Sequence, residues 1–461
     1  MTEPRARPPI RMVFALALAA ALAAGPASAQ LLGGGLPTAG LPPASDLARR
    51  IPGPDDLAPR LGRSVQDVAG ATVRTAQAPL AELRRMQALD LLRVHPEAVE
   101  ADAAGEPVVR GEVLALSPDP AALARAREAG FTVRRQEDVQ ALGLQVSVLG
   151  VPAAMPAAEA LRRLRALDPE GRYDLNHIYF PGGAADAPPG REAAAQPGSV
   201  RGGVRIGLVD GGVAAHPSLA GARVTQRGFA PGGVRPSAHG TAVASLLVGR
   251  QGRFRGAAPG AALYVADVYG SGPTGGSAGA VARGLAWLAQ LGVPVVNVSL
   301  VGPPDIILGA AVQAMVARGR LVVAAVGNDG PAAAPLYPAS YPGVVAVTAV
   351  DARRRLLPEA GRALHLDFAA PGADMAAATP GGYAAVRGTS FAAPLAAGRL
   401  ALLLGEADAG AARRALAALA GEATDLGAPG ADPLYGRGLV AFDLRTDPAV
   451  VGARRAALAG R

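Results

Sequence analysis

From residue 200 onward the chain repeats one pattern, a short and almost wholly apolar run followed by a longer segment with helical spacing. The runs are VRIGLV, ALYVADV, PVVNVSL, LVVAAVG and GVVAVTAV, and helices are expected from His239, over 279–291 and over 306–318. Strands without a polar face must be covered on both sides, and the intervening helices supply the cover. The pattern therefore demands an α/β fold with a parallel sheet and helices on both faces. Ligands of such sheets gather at the carboxyl ends of the strands, so the polar residues that follow the apolar runs are the ones to weigh.

Four stand out. Asp210 closes VRIGLV and precedes Gly211-Gly212, where Asp-Gly is ordinarily a turn former. His239 opens HGTAVASLLVG and is one of five histidines; a lone histidine is more often structural than catalytic. Ser390 stands in AVRGTSFAAPLAAG at the start of a helix. There Thr389 or Ser390 could cap free backbone N–H groups, or Ser390 could present a hydroxyl where those donors and the macrodipole steady an oxyanion. Asn328 follows LVVAAVG and is one of only three asparagines, with Asn176 and Asn297. It is either a turn residue before Asp329-Gly330 or a side-chain donor to an oxyanion. Together the four supply a nucleophile, an imidazole to carry its proton, a carboxylate to hold the imidazole's tautomer, and an oxyanion donor.

Composition removes competing chemistries. Cysteine and lysine are both absent, all 45 basic residues being arginine, which excludes disulfides, thiolate nucleophiles, Schiff bases and a P-loop lysine. The net charge is +8, but the arginines are scattered and aromatic residues make up only 4% of the chain. No nucleic-acid partner is expected.

Six segments follow from the chain's organisation. Residues 1–29 carry Arg5, Arg7 and Arg11, the run MVFALALAAALAA and then Ala27-Ser28-Ala29, the layout of a signal peptide. Export to a periplasm or the outside is expected, with no membrane partner after cleavage. Residues 30–79 are a Gly/Pro-rich linker. Residues 80–180 hold the helix LAELRRMQALDLLRV and then the order β-α-β-β-α-β of a small ferredoxin-like α+β unit. A second linker at 181–200, the α/β domain at 201–445 and a tail at 446–461 complete the chain.

At this point the residues resemble the subtilisin-like serine peptidases, or subtilases. VRIGLVDGG is similar to that family's Asp motif, HGTAVA to its His motif, AAVGNDG to its oxyanion Asn motif and GTSFAAP to its Ser motif, in the family's order. Further similarity lies in VVNVSL, YPASYPGVVAVTAVD, FAAPG and YGRGLVAFD, so the likeness spans roughly 200–445. The resemblance implies polypeptide substrates, a nucleophile at Ser390, a general acid and base at His239 and an orienting carboxylate at Asp210. Asn328 and the backbone N–H of Ser390 would hold the oxyanion. It also implies substrate-binding walls at Ser299, Leu300, Val301 and Gly302 and at Ala325, Val326 and Gly327, with Leu336 at the base of the S1 pocket. The α+β unit resembles the family's inhibitory pro-domain, whose last strand, DLNHIYF, would lie through the active site and be cut near Tyr179 or Phe180.

The chain departs from the family in places. Ala242 and Leu395 stand where relatives usually have histidines, both outside the triad. Val301 replaces a usual glycine and Leu336 a usual small residue, and both add bulk, so a shallow pocket favouring small P1 side chains is expected. No cofactor is expected, and the short stretch after His239 lacks the polar loop that holds calcium in some relatives. Two other functions fit the same residues: a catalytically silent binding protein, which a fluorophosphonate probe would expose, and an esterase, which a long-chain ester would reveal.

Overall fold

The computed structural model describes residues 80–183 and 203–453. The expected signal peptide, the segment 30–79, most of the 181–200 linker and the end of the tail lie outside them.

Helix α1 (Leu80–Val94) leads into β1 (Val99–Ala101), β2 (Pro107–Leu116), α2 (Pro120–Glu128), β3 (Thr132–Val139), β4 (Leu144–Gly150), α3 (Ala157–Leu167) and β5 (Tyr173–His177). From β2 onward the element order is β-α-β-β-α-β. The sheet is antiparallel, with β2 pairing β5 and β4, and β4 pairing β3. Asp119 caps α2 by accepting from the Ala121 N–H, with Pro120 at the first helical position. Alternation along β2 gives the sheet two buried faces. Val113 and Ala115 join Leu123, Leu161 and Leu164 of the unit's own helices. Leu114 and Leu116 join Ala88 and Leu91 of α1 together with Leu285 and Met315 from the second half of the chain.

The expected continuous strand over 173–180 is broken. β5 ends at His177, and β6 (Phe180–Pro181) pairs away from the N-terminal sheet.

The second half carries β7 (Arg205–Asp210), β8 (Val224–Gly228), α4 (Ala238–Val248), the hairpin β9 (Arg250–Gln251) and β10 (Phe254–Arg255), β11 (Ala262–Asp267), α5 (Ala278–Gln290), β12 (Val295–Val298), β13 (Leu300–Val301), α6 (Ile306–Ala317) and β14 (Leu321–Ala325). It ends with β15 (Val345–Val350), β16 (Phe368–Pro371), the hairpin β17 (Met375–Thr379) and β18 (Gly382–Val386), α7 (Thr389–Leu403) and α8 (Ala409–Glu422). Seven strands form one sheet in the order β16-β15-β14-β12-β7-β11-β8, every pair parallel.

Both faces are covered, as the apolar runs require. Val323 and Ala325 of β14 face a core shared with Val243 of α4, Ala396 of α7 and Leu419 of α8. Val322 and Ala324, the alternate residues, face Leu285 of α5 and Val312 of α6. The reversal of strand order around β7 and β12 leaves a crevice at their carboxyl ends. Asp210 is the last residue of β7, and Ser299 follows β12.

Candidate active site

Strand β7 delivers Asp210 to the sheet edge, where its Oδ1 accepts the Gly211 N–H at 2.7 Å. Helix α4 starts beside it. Ser237 caps that helix by accepting from the Gly240 N–H at 2.9 Å, which fixes the first turn and with it His239. The approach is close because residue 240 has no side chain: a Cβ there would stand 2.3 Å from the Gly211 carbonyl oxygen. His239 Nδ1 consequently lies 3.0 and 2.9 Å from the two carboxylate oxygens of Asp210. Both residues are buried, and His239 Nε2 has no hydrogen-bond partner. A carboxylate on Nδ1 holds the imidazole in the tautomer that leaves Nε2 free to accept a proton.

Ser390 is the second residue of α7. Neither hydroxyl in the Gly-Thr-Ser turn caps the helix: Thr389 Oγ1 accepts the Gly327 N–H at 3.1 Å, and Ser390 Oγ donates to the Ser299 carbonyl at 3.0 Å. The ring of Phe391, the next residue, lies 5.4 Å from the His239 ring, so the two helix starts are neighbours. Gly388 precedes the helix with φ at 135°, a backbone conformation that glycine alone adopts freely. Asn328 bridges the same place, its Oδ1 accepting the Thr389 N–H at 3.0 Å.

The chain itself occupies the crevice. Ile178 bridges Ser277, the Tyr179 N–H donates to the Gly276 carbonyl at 2.9 Å, and β6 pairs antiparallel with β13, Phe180 opposite Val301 and Pro181 opposite Leu300. The Gly182 N–H then donates to the Ser299 carbonyl at 3.1 Å, and Asn328 Nδ2 donates to the Gly182 carbonyl. The residue seated against Asn328 is therefore Gly182, beyond the expected Tyr179 or Phe180. The wall at 299–302 meets this segment directly. Across the crevice, Gly327 and the buried Leu336 lie side by side, whereas Ala325 and Val326 are built into the two cores.

Several polar residues of this region carried no signal in the sequence. Asp174 Oδ2 accepts the Ile306 N–H at 2.9 Å, and Asn176 Oδ1 accepts the Gly279 N–H at 3.1 Å, so the N-terminal unit supplies acceptors to the first turns of α6 and α5. Arg84 of α1 pairs with Glu106 at 2.7 Å and with Asp329, next to Asn328, at 2.6 Å. The buried His177 sits between Asp102, 3.4 Å from Nε2, and Asp305, 3.2 Å from Nδ1. Burial alone would lower its pKa, but hydrogen bonds to those two carboxylates and the charges of Asp305 and Asp174 outweigh it and raise the pKa to about 10.

Asp174, His177 and Asp305 are the one group among the described residues with the spacing to hold a metal ion. Their donor atoms are already engaged. Asp305 Oδ1 accepts the N–H groups of Ile307 and Leu308, and its Oδ2 faces the imidazole. Closer to Asp210, on the adjacent strand, burial pushes the Asp267 carboxyl up to about 6, even though the N–H groups of Arg235, Tyr269 and Gly270 bond to it.

A parallel α/β sheet that gathers a carboxylate, an imidazole and a helix-initial hydroxyl at its carboxyl edge has the architecture of a class of hydrolytic enzymes. Comparison with known proteins makes the class particular. The Subtilase family model matches residues 201–438, and the chain belongs to that family. It is 36% identical over 266 residues to Subtilisin Savinase of Lederbergia lenta, covering 55% of this chain and 94% of that protein. It is also 36% identical over 266 residues to an alkaline protease of Alkalihalobacillus alcalophilus, covering 67% of that protein. Fervidolysin from Fervidobacterium pennivorans matches in fold with a TM-score of 0.62 at 22% identity, over 75% of this chain and 62% of that one.

Proposed function

We propose that this protein is an exported serine endopeptidase, made as a precursor whose residues 80–182 block its own cleft. The observation that carries this reading is the seat of Gly182: its N–H on the Ser299 carbonyl and its carbonyl on Asn328, beside a buried Asp210–His239 pair.

In this mechanism the Ser390 hydroxyl turns from the Ser299 carbonyl to His239 Nε2 and attacks the carbonyl carbon of the seated residue. His239 takes the hydroxyl proton while Asp210 holds Nδ1–H. Asn328 Nδ2 and the Ser390 backbone N–H, at the positive end of α7, stabilise the oxyanion. Collapse breaks the C–N bond, and His239 passes its proton to the leaving amine. Water then repeats the sequence on the acyl-enzyme and releases a carboxylate. In the precursor the bond so placed is Gly182–Gly183. The signal-peptide layout of residues 1–29 supports export, and no described helix is long and apolar enough to cross a membrane.

The test combines a fluorophosphonate probe with N-terminal sequencing. Wild-type protein should label at Ser390 and acquire an N-terminus at Gly183, whereas Ser390→Ala should remain uncut at Gly182–Gly183 and unlabelled. A folded wild-type protein that takes no label would sink the reading.

A further inference from the structure

We infer that the cleft is selective for the bond between two glycines, presented in the context Tyr-x-Pro-Gly-Gly, so that its substrates are polypeptides carrying a diglycine behind a tyrosine anchor. This deepens the peptidase reading and rests on it.

The case begins at Gly182. A Cβ built there would stand 2.8 Å from Ser390 Oγ and 3.6 and 3.7 Å from the two methyls of Val301. A methyl group would thus press on the nucleophile while its hydroxyl rests on the Ser299 carbonyl, and a longer side chain would have to pass Val301. Beyond it the space is already filled. Leu336 Cδ1 lies 2.7 Å, and Val301 Cγ1 3.6 Å, from where a Cβ on Gly327 would be. Two branched side chains thus close the gap between the walls that would hold a P1 side chain.

The residue after the bond is constrained as well. A Cβ on Gly183 would meet Phe391 Cε2 at 2.9 Å and Ser390 Cβ at 3.3 Å. Phe391 is fully buried in the core beneath α7, so its ring has nowhere to yield.

Affinity must then come from farther along the strand. Tyr179 is fully buried, and two glycines make room for it: a Cβ on Gly302 would stand 2.7 Å from its ring, and one on Gly276 would stand 2.3 Å from its carbonyl oxygen. Its hydroxyl donates to the Pro303 carbonyl at 2.6 Å. A pocket built around a hydroxyl discriminates against the same ring without it, because the buried acceptor is left unpaired. The reaction is ordinary hydrolysis: the Gly–Gly C–N bond breaks, and water supplies OH to the new carboxyl and H to the new amine.

The experiment uses the processed enzyme and internally quenched peptides containing Tyr-Phe-Pro-Gly-Gly. Replacing the first glycine by alanine should lower kcat/KM about tenfold, and by leucine at least about 100-fold. Alanine at the second glycine, and phenylalanine for the tyrosine, should each cost about tenfold. Leu336→Gly should recover cleavage of the leucine peptide relative to the glycine peptide. Equal cleavage of the leucine and glycine peptides by enzyme that labels with fluorophosphonate would overturn the specificity and leave the peptidase reading standing. Absence of both labelling and cleavage would overturn both.

Discussion

Asn328 makes two contacts with one amide, and the two can be separated. Its Nδ2 faces the Gly182 carbonyl, while its Oδ1 accepts the Thr389 N–H at the start of α7. Asn328→Asp keeps an acceptor for Thr389 and loses the donor; Asn328→Ala loses both. Each should lower kcat by about 10²–10³, the scale of losing one oxyanion-hole donor. The alanine variant should also lose about 1 kcal/mol of stability, the worth of the hydrogen bond to the Thr389 N–H, and the aspartate variant should lose stability by burying a carboxylate in its place. Steady-state kinetics and urea unfolding of both variants check this, and a normal kcat in Asn328→Asp would remove the amide from the chemistry. Gly240 is the second sensitive position. With the Gly211 carbonyl 2.3 Å from its would-be Cβ, Gly240→Ala must push α4 away from the Asp210 loop. The expected result is about 1–3 kcal/mol of destabilisation, together with lower kcat as the imidazole separates from its carboxylate. Unchanged melting and turnover would show that the approach is looser than its geometry implies.

Among the elements, the five central strands were legible because they are buried on both faces and so are almost wholly apolar, the buried Asn297 and Thr348 being the interior exceptions. The edge strands were not. β8 is VTQRG and β16 is FAAP, one largely polar and half-buried, the other four residues long and ending in proline. An edge strand has only one neighbour to satisfy, so its sequence is less constrained. The four candidate site residues could be singled out because each lies at, or within a few residues of, the start or end of an element. Asp174 and Asn176 were not, because their meaning lies in helices more than 100 positions away. Their role can be measured in the Ser390→Ala precursor, which on the proposed mechanism keeps the N-terminal unit attached. Asp174→Ala and Asn176→Ala should each destabilise it by about 0.5–2 kcal/mol, the range for losing a helix-capping acceptor. Thermal unfolding equal to that of the parent would refute the capping role.

For the molecule as a whole, the join between its N-terminal unit and its sheet domain depends on charge. His177 is faced by Asp102 from the turn after β1, Asp174 from its own strand and Asp305 from the start of α6, and both imidazole nitrogens lie against carboxylates. The imidazolium therefore links the two halves, with a pKa raised from 6.5 to about 10. Between those values the folded protein binds a proton that the unfolded chain has released, so stability must fall as pH rises. The contribution is complete below about 6.5 and is lost through about 10. Urea unfolding of the Ser390→Ala precursor should accordingly show a midpoint that declines from pH 6.5 to 10. His177→Gln, which cannot titrate, should start lower and decline less over the same range. Both proteins lose the same alkaline contributions from every other group, so only the difference between the two curves reports on the imidazole. A difference that stays constant across that range would mean that His177 is neutral in the folded protein. The carboxylates around it would then have to be held by their backbone N–H donors alone, and the grip of the N-terminal unit on the cleft would not weaken in alkali.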